Sequence, residues 1–482
     1  MGRHFISVLG TGLYQSTTYV YEGKCFETPF VQEALAEMLF SEIKQGDKIS
    51  IFVTEKAKEL NWETRKYSER EQENARKNGQ VLPDIKIGLK EILFKKYGRI
   101  LDDIELCTVP IGSNENELWE IFQIIFSRIE EDEELYIDIT HSLRNIPIQM
   151  LAVISYARVL KEIIVKGIYY GAFEAKDELK RTPIFNLRTF LEILDWSQAA
   201  NTFVKYGNSD QIYELCLEQK KIYREKISEL FKITKELNSL THNLETSRGY
   251  YKDGKNREMS ALGTYKEYKK NYLQMMEKDQ QKEDRNEKQT AIIKPMEGLL
   301  QCIDKSVEMF DVDTNLEMGM AAVRWAIDKK STQQGFTAFE ETIKTFVCNY
   351  YGLDEKEEKD RDWISKNICR ELSENYDEKN KTFRNGKTRE DIYKQWLEEK
   401  KEQNWFQAYL PQKDKIQEMF LDIPESLFTL IPKIGDRRNS MNHFGFSNRY
   451  QFSSKGLEKD LKSTFEEFEQ IKKKMEEKKK SR

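Results

Sequence analysis

Between Met1 and about Leu194, short β-branched and apolar runs alternate with amphipathic stretches, and this alternation constrains the fold more than any other feature of the chain. Parallel strands buried on both faces show up as continuous apolar runs, and the helices covering them as three- and four-residue spacing. The strand candidates are HFISVLG (4–10), KISIFVT (48–54), IELCTVPIG (104–112), LYIDIT (135–140) and IVKGIYYGAFE (164–174), separated by helical segments such as VQEALAEMLFSEI. The pattern predicts a doubly wound α/β domain with a Rossmann-like parallel sheet over 1–194. The stretch Asn61 to Asp84 is rich in charge and poor in apolar residues. It is expected to be a surface excursion between a strand and a helix, placed where it could lie over a ligand.

At 482 residues the chain exceeds what one hydrophobic core serves, so more than one module is expected. Beyond Leu194 no segment reads as a strand, and QIYELCLEQKKIYREKISELFKITKELNSL carries helical spacing. Ser247 to Lys294 is rich in Lys, Glu, Gln and Asn and is expected to be a loop or frayed connector. Apolar periodicity returns in NLEMGMAAVRWAIDKKS, FTAFEETIKTFVCNYYG and SLFTLIPKIGDRRNSMNHFG, the pattern of a helix bundle. The expected fold class is α/β plus all-α: a sheet domain over 1–194, a helical connector over 195–310 and a helical bundle over 311–482.

A net charge of -5 does not advertise a nucleic-acid binder, so any contact with RNA must be a local patch. The segment Lys433 to Arg449 offers one, with Lys433, Arg437, Arg438 and Arg449 against Asp436 alone. Six scattered cysteines without CxxC pairs suggest neither a zinc ribbon nor a disulfide framework, as in a reducing cytoplasm. The absence of a signal-peptide pattern or a membrane-length apolar run leads to the expectation of a soluble, cytoplasmic protein with no membrane partner.

Within the basic segment, Gly435 and Asp436 look like a helix start, which would place RNSMNH in the first two turns and near an end that favours phosphate. Asn439 and His443 are four residues apart and share a face, so the amide could fix the imidazole tautomer. Arg438 and His443 are five apart, which turns them about 140° around the axis at 3.6 residues per turn. One helix therefore aims them poorly at a single phosphate, and a site shared by two copies would solve this. Cleaving RNA without metal needs a group to manage protons and a cation to hold transition-state charge, roles that His443 and Arg438 can fill. At an arbitrary Arg and His with this spacing, a solvated arginine and a packing histidine are the commoner case.

RNSMNH resembles the motif of HEPN ribonucleases, an Arg, a polar residue and a His in a terminal helical bundle. In that family two HEPN domains pair so that both copies line one cleft, and they cut single-stranded RNA without metal, leaving 2′,3′-cyclic phosphate and 5′-OH ends. The resemblance implies Arg438, Asn439 and His443 as catalytic residues.

In open parallel sheets ligands bind beyond the carboxyl ends of the strands. The first strand ends in Gly10, Thr11 and Gly12 but lacks the third glycine of a dinucleotide fingerprint. The fourth ends in DITHS (138–142), followed by Arg144, Asn145 and Pro147. Turn capping explains Ser142 or Asn145, but not His141 and Arg144 together. The string resembles the DxTH motif of CARF domains in type III CRISPR accessory proteins, and SVLGTGLY, TPFVQEAL and IYYGAFE are similar to the same family. CARF domains bind cyclic oligoadenylate across a dimer interface. The resemblance therefore assigns Gly10, Thr11, Gly12, Thr140, His141, Ser142 and Arg144 to ligand contact, with Ser142 where glycine is common. Some CARF domains also degrade their ligand.

Together the two resemblances imply a CARF and HEPN endoribonuclease, a homodimer or a higher oligomer, that needs no cofactor or metal. Cyclic oligoadenylate, with cyclic tetra-adenylate favoured, is the expected activator and single-stranded RNA the substrate. A ligand-sensing regulator without catalysis and a ring nuclease degrading cyclic oligoadenylate are the alternatives.

Overall fold

The computed structural model describes residues 2–77, 81–98, 104–141, 146–223, 227–252, 258–281, 287–362, 367–403, 406, 412–444 and 452–481. The chain divides into two compact units, Met1–Leu194 and Asp195–Arg482.

The first unit is an eight-stranded sheet: β1 (Arg3–Leu9), β2 (Thr17–Tyr21), β3 (Lys24–Thr28), β4 (Lys48–Val53), β5 (Ile104–Thr108), β6 (Glu134–Asp138), β7 (Ile164–Gly171) and β8 (Thr182–Asn186), in the order β3-β2-β8-β7-β6-β1-β4-β5. The five strands β7, β6, β1, β4 and β5 are mutually parallel, and all five were foreseen. They are apolar because both faces are covered: Phe5, Leu9, Ile49 and Ile51 pack on one side, Ile6, Val8, Leu135 and Ile137 on the other. The covering helices include α1 (Val31–Leu39), α2 (Leu89–Tyr97), α3 (Glu115–Arg128) and α4 (Ile146–Leu160).

The sequence reading lacks β2, β3 and β8. β2 and β3 form a hairpin, and β8 runs antiparallel to β7 and joins that hairpin to the sheet through β2. The expected excursion after Asn61 is not wholly at the surface: Asn61 and Trp62 are buried on a π-helical turn, Lys58–Trp62, and Lys86 is buried where Ile85–Lys86 pairs with Arg65–Lys66.

The second unit is helical apart from the short hairpins Tyr250–Lys252 with Glu258–Ser260 and Tyr376–Asp377 with Thr382–Phe383. Ser247 to Lys294 is not a loop. Helices Ala261–Gln281 and Glu287–Val307 occupy most of it, the first held by buried Tyr265, Tyr268, Tyr272 and Met275. One apolar cluster gathers Trp196, Phe203, Leu237, Tyr268, Phe310 and Trp325, and a second gathers Val323, Phe339, Phe346, Trp396, Phe428 and Phe468. The helix Asn315–Asp328, opened by a Thr314–Glu317 capping box, contributes to both.

Candidate functional site

Among the parallel strands the chain passes, after the β2–β3 hairpin, from β1 to β4 and then β5 on one side of β1, and returns to β6 on the other. The strand order thus reverses between β1 and β6, and that crevice is where open α/β sheets bind ligands. The loops after these two strands are Gly10–Gly12 and Ile139–His141, so the site is placed by topology alone. Ser7 and Asp138 are register partners on β1 and β6, and the Ser7 hydroxyl donates to the Asp138 carboxylate at 2.6 Å. Asp138 also accepts from the Thr140 N–H at 2.9 Å, and burial pushes its carboxyl above the usual range. Its part in the D-x-T-H string is to shape the turn.

Tyr14 and His141 join the loops. The Gly10 N–H donates to the Tyr14 hydroxyl at 2.9 Å, and the Tyr14 ring meets the His141 ring edge-on at 4.4 Å. A Cβ at Gly10 would come within 3.0 Å of the His141 carbonyl oxygen, so glycine is what lets the loops approach. Thr140 turns its hydroxyl oxygen to the Gly171 N–H at 2.8 Å, tying the end of β6 to the end of β7. Burial pulls the His141 imidazole down to about 4, and its Nε2 is buried without a hydrogen-bond partner among the described residues. A neutral ring with an idle nitrogen at a switch point is a group available to a ligand.

Asn61, Lys86 and Tyr14 belong to this site and were not singled out from the sequence. The Asn61 amide donates to the carbonyls of Gly10 at 2.7 Å and Gly12 at 3.0 Å, and its own oxygen accepts from Lys86 Nζ. Burial, with Arg65 nearby, pulls the Lys86 ammonium down to about 8. The available signal was a lone Asn and Lys in a charged stretch 25 residues apart, which carries no periodicity. Ser142 and Arg144 lie outside the described residues.

The second constellation differs from expectation in its helix. Gly435 and Asp436 do not start one: a single helix, α5, spans Glu425–Asn442 with Pro432 inside it. Leu427, Phe428, Leu430, Ile431 and Ile434 are buried along it, and that burial outweighs the cost of about 1 kcal/mol for an interior glycine. RNSMN therefore forms the last turns, and His443 is the C-cap, its N–H donating to the Asn439 carbonyl at 3.0 Å. The helix end nearest the motif is the one whose dipole disfavours phosphate.

Arg438 pairs with Glu340 at 2.9 Å, on the facing helix Thr332–Tyr351, and its Nη2 reaches the Asn439 side-chain oxygen at 3.4 Å. Arg438 Nε is buried without a hydrogen-bond partner among the described residues. Asn439 and His443 are exposed, and among the described residues no hydrogen bond joins either the Arg438 or the Asn439 side chain to the imidazole. The basic patch is largely neutralised: Lys433 pairs with Glu378 at 2.8 Å and Arg437 with Asp460 at 3.2 Å, and Arg449 lies outside the described residues.

Among the described residues no group of three or more His, Cys, Asp or Glu could hold a metal ion, and no helix is long and apolar enough to cross a membrane. Among solved structures the chain aligns loosely with an Enterococcus italicus Csm6 bound to cyclic hexa-2'-fluoro-hexa-dAMP, over 98% of this chain and 94% of that one. The TM-score is 0.37 at 11% identity, an overlap too loose to match residues. Among curated proteins it is similar to the CRISPR-associated protein MJ1674 of Methanocaldococcus jannaschii, 25% identical over 387 residues, 73% of this chain and 55% of that protein. The chain thus spans little more than half the length of this relative. Residues 4–174 match the family described as CRISPR system endoribonuclease Csx1, CARF domain, a span that holds β1 to β7 and both switch-point loops. The chain accordingly carries a CARF domain of the Csx1 type at its N-terminus.

Proposed function

We propose that this protein is a CRISPR-associated endoribonuclease switched on by cyclic oligoadenylate, with the crevice between β1 and β6 as the sensing site and Arg438, Asn439 and His443 as the cutting set. One observation carries the reading: a CARF domain of Csx1 type brings Gly10–Gly12 and His141 together at its switch point, with the imidazole neutral and Nε2 unused. Thr11, Gly12, Thr140, Ser142 and Arg144 complete the ligand contacts, and cyclic tetra-adenylate is the favoured ring. The connector over 195–310, the HEPN domain over 311–482 and a cytoplasmic location belong to the same reading.

Cutting requires His443 to handle the proton at the ribose 2′-OH or the leaving 5′-oxygen, and Arg438 to exchange Glu340 for a phosphate oxygen as charge builds. The products would be a 2′,3′-cyclic phosphate and a 5′-OH, without metal. At helical spacing Arg438 and His443 would be turned about 140° apart, so a second copy supplies the complementary half of the site. A further observation supports a homodimer: α4 buries Ile146, Met150, Val153 and Ile154 on one face, yet exposes Ile148 at 74%, Tyr156 at 49% and Val159 at 78% on another. A helix apolar all round is normally covered all round.

The test incubates labelled single-stranded RNA with the protein in EDTA, with and without cyclic tri-, tetra- and hexa-adenylate. Ligand-dependent cutting is expected, with losses of about 100-fold or more in Arg438→Ala and His443→Ala. RNA left intact by the wild type under every ligand would refute the proposal. The idle nitrogen of His141 favours a second reading, a ring nuclease acting on the ligand itself. Chromatography of the cyclic oligoadenylate after the same incubation separates the two.

A further inference from the structure

Asn61 is fully buried, 51 residues along the chain from Gly10, yet its amide is the hub of the first loop. Lysine only donates, so the bond from Lys86 Nζ marks the amide oxygen and leaves two N–H groups for the carbonyls of Gly10 and Gly12. Across a trans peptide the carbonyl of one residue and the N–H of the next point in opposite directions. With the carbonyls of Gly10 and Gly12 turned inward onto Asn61, the N–H groups of Thr11 and Leu13 turn outward. Thr11, Gly12 and Leu13 are exposed, and a Cβ at Gly12 would meet nothing within 4 Å. The Gly10 N–H is already used by Tyr14. Two outward N–H groups two residues apart, beside the open space at Gly12, form a donor pair suited to an oxyanion.

We propose that Asn61, held by Lys86, is a positioning residue that turns the Gly10–Gly12 loop so that the N–H groups of Thr11 and Leu13 grip a phosphate of the nucleotide ligand. Asn61 touches no ligand atom itself. The inference rests on the reading of this crevice as the cyclic oligoadenylate site and adds the groups that hold the phosphate and the residue that aims them. Lys86 is suited to the task because, among the described residues, no carboxylate competes for it at ion-pair distance.

Asn61→Asp separates positioning from stability. An aspartate still accepts from Lys86 and gives that buried ammonium a counter-charge, but has no N–H for the glycine carbonyls. Calorimetric titration of the 482-residue chain with cyclic tetra-adenylate should show affinity at least about tenfold weaker in both Asn61→Asp and Asn61→Ala, while Asn61→Asp, which keeps the bond from Lys86, melts above Asn61→Ala. Wild-type affinity in Asn61→Asp overturns the inference. Should the variants fail to fold, hydrogen exchange on the wild type decides: the amides of Thr11 and Leu13 slow when cyclic tetra-adenylate is added, and unchanged exchange at both overturns the proposal. A wild type that binds no cyclic oligoadenylate of three, four or six units refutes the ligand reading and this inference with it, a result distinct from binding that ignores Asn61.

Discussion

His141 sits where water cannot stabilise its charge, and that has a cost that depends on pH. Its folded-state pKa is held near 4 by burial, below the unfolded value of about 6.5. Above 6.5 neither state takes up the proton and stability is unaffected. As pH falls from 6.5 towards 4, only the unfolded chain binds it, so stability is lost across that window. At pH 5 the loss from this residue is about 2 kcal/mol. His4 acts with the same sign, since burial also lowers its pKa against the hydrogen bond that its Nδ1–H donates to the Glu133 carboxylate. Hydrogen exchange of amides in β1 and β6 between pH 7 and pH 5 is the measurement, and His141→Gln should reduce the slope while leaving the share of His4. An unchanged slope would remove His141 from the account. His141 was legible because a histidine beside an arginine after a strand is not turn chemistry. Asn61 was not legible, because its role depends on a contact with Gly10 that no local pattern encodes.

The helix α5 shows how an element can be misread from sound local rules. Gly435 and Asp436 form a plausible start, but the run from Leu427 to Ile434 buries enough apolar surface to carry the helix through Pro432 and Gly435. The two readings differ in a measurable way. Gly435 lies in a helix interior, and a Cβ there would meet nothing within 4 Å. Gly435→Ala should therefore raise stability by about 0.5–1 kcal/mol, seen as a higher unfolding midpoint in urea. A neutral or destabilising result would mean that the helix is broken at that point. The strands divide in the same way. β1, β4, β5, β6 and β7 were legible because packing on both faces makes them largely apolar runs. The β2–β3 hairpin was not, because TTYVY and KCFET are short and mixed, and the turn between them rests on Glu22 at φ 48° and Gly23 at φ 80°. That is the geometry of a two-residue type I′ turn, which a Glu-Gly pair signals more weakly than Asn-Gly.

For the whole molecule, the proposed switch is bounded by linkage. A ligand in the first unit can raise RNA cutting in the second only by binding the active arrangement better than the resting one, and the coupling free energy is the same in both directions. Arg438 is engaged by Glu340, so on the proposed reading RNA would compete with a carboxylate for the guanidinium. Any state that loosens this ion pair favours RNA, and RNA in turn favours that state. The full-length His443→Ala protein allows both affinities to be measured at equilibrium, because the RNA is not consumed. Cyclic tetra-adenylate should tighten RNA binding by a factor in the range of about 5 to 150, and saturating RNA should tighten cyclic tetra-adenylate binding by the same factor. Titrations of each in the presence and absence of the other give the two numbers independently. A factor of one in both directions would show that the ligand leaves RNA affinity untouched, and that any activation acts on the chemical step instead.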